Sequence, residues 1–315
     1  MRAAFVKTLV ELADQDSRIL LLTGDLGYNA LEPFAERFPD RFFNVGVAEQ
    51  NMVGLATGLA ESGFIPYVYS IVNFAVLRPY EFIRNGPILH QFPVRIVGVG
   101  GGLEYGPNGL SHHGLEDIGI MRIQPGITVI APADHQQARH AFLNTWNLPG
   151  PVYYRIGKDD KTVVAGLEGH FELGRAQLIR EGSDLLLIAM GSVASEAVSA
   201  AQALAGHGVS CAVLVVASIS PAPVDDLLAF AARYRLMLTV EAHYATGGLG
   251  SLISEVIAGK DLNCRLVRCG VESLPNGVSG SQRFLHQANG ISAEKLVEKT
   301  MQVLYGLRST DRNEG

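Results

Sequence analysis

The chain has 315 residues, of which 48% are hydrophobic and 18% are charged, which is enough for about two domains with apolar cores. Its net charge is -6, from 25 basic and 31 acidic residues without basic blocks, so a nucleic-acid or anionic-membrane surface has no electrostatic support. Three cysteines, Cys211, Cys264 and Cys269, form no disulfide framework or zinc motif, which favours a reducing cytoplasm. The first residues are typical of an amphipathic helix rather than a signal peptide, and no apolar run is long enough to span a bilayer.

Short apolar, β-rich runs alternate with helical stretches through the first half of the chain. The clearest predicted strands lie at residues 18–24, 93–100, 126–132 and 151–157, with the run PYVYSI between the first two. This alternation is typical of a mainly parallel sheet with helices on both faces. A polar stretch at residues 158–170 interrupts the pattern, and we interpret it as a linker.

The same alternation resumes after this linker. Predicted strands lie at residues 183–191, 209–218, 235–243 and 263–270, and an alanine-rich helix follows the first of them. We therefore predict an α/β protein with two doubly wound, mainly parallel-sheet domains in series, at residues 1–165 and 172–310.

Ligands of open parallel sheets bind beyond the carboxyl ends of the strands. Polar or glycine-rich segments occupy such positions at residues 24–30, 46–52 and 98–117. In the second of them, Glu49 stands where a short apolar run ends and a helix of small residues begins. Burial raises the pKa of a carboxyl group, so a carboxyl group at such a junction is suited to share a proton with a heteroaromatic nitrogen. The alternative is that Glu49 only stabilises the helix N-terminus electrostatically.

The segment NVGVAEQNMVGLATGLAESG resembles the pyrimidine-binding domain of the transketolase superfamily, in which the run AEQN carries the activating glutamate of thiamine diphosphate enzymes. The likeness continues in family order through TGDL, EFIRN, the glycine loop that ends in SHHGLED, PVYYRIG and, in the second domain, VEAHYATGGLGS. The resemblance implies a pyrimidine-binding domain followed by a transketolase C-terminal domain. It also implies that Glu49 hydrogen-bonds the cofactor's aminopyrimidine ring and promotes removal of the thiazolium proton.

The resemblance assigns further residues to the cofactor and to the reacting end of the substrate. Phe74 aligns with an aromatic residue that stacks on the pyrimidine ring, for which a flat apolar face is needed. His112, with His113 beside it, occupies a position where relatives place a histidine or glutamine near the substrate. The alternatives are an ordinary core residue for Phe74 and solvated loop residues for the two histidines.

The resemblance also assigns residues to the far end of the substrate. Arg2, Lys158 and His90 resemble positions that hold the phosphate of sugar phosphates in transketolase or 1-deoxyxylulose 5-phosphate synthase, although each by itself is typical of a surface residue. Two departures indicate that the substrate end has been rebuilt. Gly100 stands where transketolases have a histidine, and Asn29 stands where they have a serine near the substrate phosphate.

The magnesium motif of the family is mimicked but not present. Gly24, Asp25 and Asn51 have the spacing of the Gly-Asp-Gly and asparagine ligands that hold the metal through oxygen atoms. The third residue is Leu26, however, and the segment corresponds to the start of the pyrimidine-binding domain, so we predict no metal site here. The resemblance implies that a separate N-terminal subunit supplies the diphosphate-binding domain and the Mg²⁺ ligands. We expect two copies of each chain, paired through the AEQN helix and the second domain, and no activity without the partner.

These expectations define a function and two alternatives to it. The first is a thiamine diphosphate-dependent transferase that moves a two-carbon ketol unit between sugars or sugar phosphates. One alternative is the beta subunit of a 2-oxo-acid dehydrogenase decarboxylase component, and the other is a catalytically silent regulatory subunit. The AEQNM, EFIRN and SHHGLED segments favour the transketolase-like function, and Glu49 argues against a silent subunit because an unused buried carboxylate is costly.

Overall fold

A computed structural model of the chain describes residues 1–274 and 277–311, with side chains up to residue 306. The strands are β1 Ile19–Thr23, β2 Phe42–Asn44, β3 Ile65–Ile71, β4 Arg95–Val99, β5 Thr128–Ile130, β6 Val152–Ile156, β7 Gln177–Arg180, β8 Leu185–Met190, β9 Cys211–Val215, β10 Ser218–Ser220, β11 Leu236–Tyr244 and β12 Arg265–Val271. The helices are α1 Arg2–Gln15, α2 Glu32–Arg37, α3 Glu49–Glu61, α4 Val72–Val76, α5 Tyr80–Ile83, α6 Asp117–Arg122, α7 His135–Thr145, α8 Ala194–Gly206, α9 Val224–Arg233, α10 Leu249–Ile257, α11 Gln282–Ala288 and α12 Ala293–Asp311. A π-helical turn, Arg84–Ile88, follows α5.

The first sheet has seven strands in the order β10-β5-β6-β4-β3-β1-β2. Every pairing in it is parallel except that of the edge strand β10 with β5. The strands β1, β4 and β6 are buried along their whole length, as their continuous apolar runs predict for a sheet covered on both faces. All the carboxyl ends of the parallel strands therefore meet at one edge, where α3 and the glycine loop begin.

The second sheet has five strands in the order β12-β11-β8-β9-β7, and only β7 runs antiparallel to its neighbour. The predicted fold class, two mainly parallel α/β units in series, is confirmed. The two units are interlocked, because β10 comes from the second half of the sequence but pairs with β5 of the first sheet.

The predicted linker at residues 158–170 is a packed connection. Val164 and Leu167 are buried, and the backbone N–H of Val164 donates to Asp134 Oδ2 at 2.9 Å. The segment that connects the two sheets is therefore held in place by buried side chains and a hydrogen bond. Within the described part of the chain, no helix is long and apolar enough to cross a membrane.

A buried carboxylate starts helix α10 in the second unit. Glu241, near the end of β11, accepts hydrogen bonds from the backbone N–H groups of Leu249 at 2.7 Å and Gly250 at 2.8 Å. These donors belong to the first turn of α10, where backbone N–H groups have no partner within the helix. Burial nevertheless raises the pKa of Glu241 to about 7, because the two amide donors offset only part of the desolvation.

Candidate active site

Glu49 is the first residue of α3, directly beyond the carboxyl end of β2. Its side chain is only 1% exposed. Ser70, near the end of β3, donates from Oγ to Glu49 Oε1 at 3.1 Å. Gly24 leaves the space that the carboxyl group needs, since a Cβ atom there would lie 3.2 Å from Oε1. Gly24 after β1 and the Ser70 hydroxyl in β3 thus together position the buried Glu49 carboxylate at the start of α3.

Arg78 supplies the counter-ion. Its Nη1 forms an ion pair with Glu49 Oε2, the oxygen that Ser70 does not contact. The Arg78 side chain is 38% exposed, so it reaches the carboxylate from the solvent side. Its guanidinium carbon lies 4.6 Å from the centroid of the Phe74 ring, within the range of a cation–π contact. One arginine therefore covers both the acid group and one aromatic face.

Phe74 and His112 lie next to each other. The Phe74 ring, in α4, is half-buried and meets the His112 ring edge-on, with 5.3 Å between centroids and 78° between planes. The Nδ1 atom of His112 lies 2.9 Å from the Oγ atom of Ser111. His112, which belongs to the glycine loop, thus packs against the ring of Phe74.

The contacts continue from His112 to Lys158. The ring of Tyr105 lies 6.2 Å from that of His112, and Lys158 Nζ lies 4.1 Å from the centroid of the Tyr105 ring. We call the contiguous set that starts at Glu49 the site row; its other members are Arg78, Phe74, His112, Tyr105 and Lys158. The structure thus brings together Glu49, Phe74, His112 and Lys158, which were singled out from positions as far apart as residues 49 and 158.

Arg2 acts on this row through its charge. Burial raises the pKa of Tyr105, and the positive charge of Arg2 opposes that rise. Arg2 and Asn29 both line a cavity of about 460 Å³, together with Asp160. Asn29 has a left-handed backbone with φ 61°, and its N–H donates to Glu32 Oε1 at 2.8 Å. The two predicted substrate residues therefore share one cavity.

His113 is not in the row, although it is the neighbour of His112. It is 1% exposed, its Nε2 lies 3.4 Å from the carbonyl oxygen of Gly106, and its own carbonyl accepts from Asn73 Nδ2 at 2.9 Å. It packs beneath the glycine loop. The structure therefore places His113 beneath the loop and apart from the site row, and its predicted contact with a substrate stays a prediction.

His90 is likewise separated from the row. It is exposed and lies in the turn that precedes β4, where its ring stacks on Phe92 with centroids 5.4 Å apart. That turn stands at the amino ends of the strands, whereas Glu49 lies beyond their carboxyl ends. The structure of the single chain does not bring His90 to the other predicted substrate residues.

Asp25, in the motif that mimics a magnesium site, is engaged with protein groups. One of its oxygens, Oδ1, accepts from Asn44 Nδ2 and from Tyr28 Oη, each at 2.9 Å. Among the described residues, no group of three or more His, Cys, Asp or Glu side chains is arranged to hold a metal ion.

Ser70, Arg78 and Tyr105 were not identified from the sequence. Arg78 follows Phe74 by four residues, a spacing that places two side chains on one helical face, and this was the available signal. Ser70 stands at the end of an apolar strand, which is also where ligand-contacting residues of open sheets occur. For Tyr105, which is set in a glycine-rich run, no comparable signal exists.

Two family models match the chain. A model of the transketolase pyrimidine-binding domain matches residues 1–161, and a model of the transketolase C-terminal domain matches residues 174–296. The first range contains every member of the site row. The second begins just before β7 and covers most of the second unit.

Three relatives are similar over most of their own length. A putative transketolase C-terminal section of Methanocaldococcus jannaschii is 36% identical, over 96% of this chain and 95% of the relative. A 6-deoxy-6-sulfo-D-fructose transketolase subunit of a Clostridium species is 34% identical, over 96% and 94% of the two chains. A subunit of the apulose-4-phosphate transketolase of Phocaeicola vulgatus is 35% identical, over 88% and 90%.

A solved structure agrees with the sequence relatives. It is described as a split-gene transketolase in an inactive beta4 tetramer, and it is 33% identical to this chain with a TM-score of 0.85. The match covers 96% of this chain and 97% of the other. The family models, the relatives and this structure give one answer: the chain belongs to the transketolase superfamily and contains its pyrimidine-binding and C-terminal domains.

Proposed function

We propose that the chain is the C-terminal, or beta, subunit of a thiamine diphosphate-dependent transketolase-like enzyme that transfers a two-carbon ketol unit between sugars or sugar phosphates. The observation that carries the proposal is the buried Glu49 carboxyl group, which Ser70 positions and which Arg78 links to the ring of Phe74. We further propose that the pyrimidine-binding domain spans residues 1–165 and the C-terminal domain residues 172–310.

The residues around Glu49 fit the pyrimidine half of the cofactor. Ser70 holds Glu49 Oε1, whereas Oε2 faces Arg78, whose side chain is partly exposed to solvent. Withdrawal of Arg78 would free both Oε2 for a ring nitrogen and the face of Phe74 for stacking. When bound, thiamine diphosphate supplies the carbon nucleophile that accepts the ketol unit. The part of this chain is to hold the shared proton at Glu49 and to orient the ring.

The other end of the site row fits an anionic sugar. Ser111 engages Nδ1 of His112, so Nε2 is the nitrogen that can donate to, or accept a proton from, a substrate hydroxyl. Beyond it, Lys158 and Arg2 place positive charge around Tyr105. A phosphate or sulfonate terminus is complementary to such charge. The names of two relatives include a sulfonated sugar and a sugar phosphate, which supports this class of substrate.

A second chain completes the enzyme in this proposal. It brings the diphosphate-binding domain and the Mg²⁺ ligands, and the cofactor lies between the two kinds of chain. Two relatives are described as subunits, and the beta4 tetramer of the similar structure is inactive, which supports dependence on a partner. Exposed apolar side chains near α3, namely Val47, Leu55 and Phe82, support pairing of two copies through this region. The expected assembly has two copies of each chain.

The test is reconstitution with a diphosphate-binding chain that carries the Gly-Asp-Gly and asparagine motif, sought first in the neighbouring genes. Phosphorylated, sulfonated and unmodified ketoses serve as donors and short aldoses as acceptors, with thiamine diphosphate and Mg²⁺ present. We expect ketol transfer from the mixture and none from either chain alone. A parallel assay supplies 2-oxo acids and lipoamide. Acyl transfer to lipoamide without ketol transfer would instead identify a decarboxylase subunit, and inactivity in both assays with a properly assembled complex would support a silent subunit.

A further inference from the structure

The glycine loop that carries Tyr105 and His112 is closed at a narrow neck. The N–H of Gly102 donates to the carbonyl oxygen of Gly114, and the N–H of Gly114 donates to that of Gly102, both at 2.8 Å. Residues 103–113 are therefore held as one loop by a single antiparallel bridge. We call Gly102 and Gly114 the loop neck.

One buried arginine ties the loop neck to the second domain. Arg155, on β6, is 5% exposed, and its Nη2 donates at 2.8 Å both to the carbonyl oxygen of Gly114 and to that of Ala242 on β11. Its Nε forms an ion pair with Asp117 Oδ2 at 3.0 Å, and the same carboxylate oxygen accepts a hydrogen bond from the Tyr153 hydroxyl at 2.6 Å. The guanidinium thus links a strand of the first sheet, the loop neck and a strand of the second sheet.

The loop neck packs against these groups without intervening side chains. A Cβ atom on Gly101 would lie 2.5 Å from Arg155 Nε, and one on Gly102 would lie 2.6 Å from the Ala242 Cβ. Gly102 also has a φ of +69°, a conformation in which a side chain is strained. Any shift of Arg155 or of β11 therefore acts directly on the backbone of the neck.

We propose that Arg155 is a positioning residue through which the second domain fixes Tyr105 and His112. It joins Gly114 to Ala242, and so acts at the loop neck, apart from the contact in which Ser192 Oγ of the second unit donates to Glu104 Oε1 of the loop at 2.7 Å. This inference rests on the proposed role of His112. The planar guanidinium can serve both carbonyl oxygens and Asp117 at once, whereas the single ammonium group of lysine cannot reproduce that geometry. Small displacements of a positioned group are costly in catalysis.

Arg95 offers a matched control. It is also buried on a strand of the first sheet, and it donates to the carbonyl oxygens of Trp146 at 2.9 Å and Gly150 at 2.6 Å. These contacts lie at the amino end of β4, away from the loop neck. Arg155→Lys and Arg95→Lys remove the same kind of interaction from the same sheet, but only the first touches the loop.

The first arm of the test measures hydrogen exchange in the chain by itself, so it needs neither cofactor nor substrate. Arg155→Lys is expected to speed exchange of the amides in residues 103–114 about tenfold or more, and Arg95→Lys is expected to leave them unchanged even where its thermal stability falls equally. If Arg155→Lys does not fold, the pair Arg155→Gln with Asp117→Asn replaces it, because that pair leaves no unpaired buried charge. Equal exchange in the Arg155 and Arg95 variants would overturn the proposal.

The second arm uses the assembled enzyme. For Arg155→Lys we expect kcat to fall about tenfold or more while the Kd of thiamine diphosphate changes less than about twofold, because Glu49 is held by Ser70 and Arg78, which lie outside the loop. Arg95→Lys is expected to keep its kcat. Faster loop exchange with an unchanged kcat would contradict the positioning role. If wild-type enzyme shows no ketol transfer, the proposed function fails, and the exchange arm still decides whether Arg155 fixes the loop.

Discussion

Arg78 forms an ion pair with Glu49 and lies with its guanidinium carbon 4.6 Å from the centre of the Phe74 ring. It therefore covers the two groups that the proposed function assigns to the cofactor's pyrimidine ring. The pair also offsets the cost of keeping a carboxylate dehydrated, since Glu49 is 1% exposed. In the proposed function, Arg78 is a counter-ion that the cofactor's pyrimidine ring would displace from Glu49.

The first prediction concerns the stability of this pair. Arg78→Ala leaves the buried Glu49 carboxylate without its counter-ion, and we expect the free energy of unfolding to fall by about 1–3 kcal/mol, as for a buried charged acceptor that loses its donor. Chemical denaturation of the isolated chain measures it. In a Glu49→Gln background the same Arg78 substitution should cost less, because no charge remains to be compensated. Equal costs in the two backgrounds would show that the ion pair does not stabilise the fold.

The second prediction concerns the aromatic face. Phe74→Leu keeps an apolar side chain but removes the flat ring, and we expect thiamine diphosphate to bind the assembled enzyme about 3- to 10-fold more weakly, which corresponds to the usual energy of an aromatic pair. Titration calorimetry with the cofactor measures the Kd. Phe92→Leu is the control, because Phe92 stacks on His90 at the opposite edge of the sheet. Weakening by both variants alike would assign the effect to general destabilisation.

The third prediction concerns pH and the second domain. Burial raises the pKa of Glu241 from its ordinary value of 4.5 to about 7. Between these values the folded chain holds a proton that the unfolded chain releases, so the contribution of Glu241 to stability falls as pH rises through this window. Relative to Glu241→Gln, the wild type should lose about 3 kcal/mol of unfolding free energy between the two ends of the window.

Denaturation curves of both proteins at several pH values from 4 to 8 measure this difference. The Gln variant is the appropriate reference because it keeps the shape of the side chain but does not titrate. A constant difference across the range would mean that Glu241 has the same pKa in the folded and unfolded chains. A difference that moves in favour of the wild type would mean that the two amide donors outweigh the desolvation.

The buried strands were predictable because they are continuous apolar runs, but the short edge strands were not. The predicted strand at residues 209–218 corresponds to Cys211–Val215, and its last residue starts a second strand, β10, that turns back to pair with β5. The strand β10 is only three residues long, Ser218–Ser220, and so short a run gives no sequence signal for a strand. The partner of β10 belongs to the other domain, so the pairing depends on a contact between residues about 90 positions apart, such as Ser218 with Ile130.

Glu49 was predictable because the AEQN run is contiguous in sequence, whereas its counter-ion was not. Arg78 is 29 residues further along and reaches Glu49 only after β3 and α4 have formed. The different surroundings of His112 and His113 were likewise not predictable from the sequence. A short helical turn ends at His112, and the bridge at Gly114 follows one residue after His113, so two adjacent histidines differ, one contacting Phe74 and the other buried beneath the loop.

The measurement that tests the central claim most directly is the activity of Glu49→Gln in the complex with the diphosphate-binding chain. Glutamine keeps the hydrogen-bonding shape of the side chain but cannot hold the transferable proton. We expect assembly and folding to be retained, as judged by sedimentation and thermal unfolding, and ketol transfer to fall by at least about 10²-fold, the range of a lost acid–base group. An assembled Glu49→Gln enzyme with wild-type activity would contradict the account.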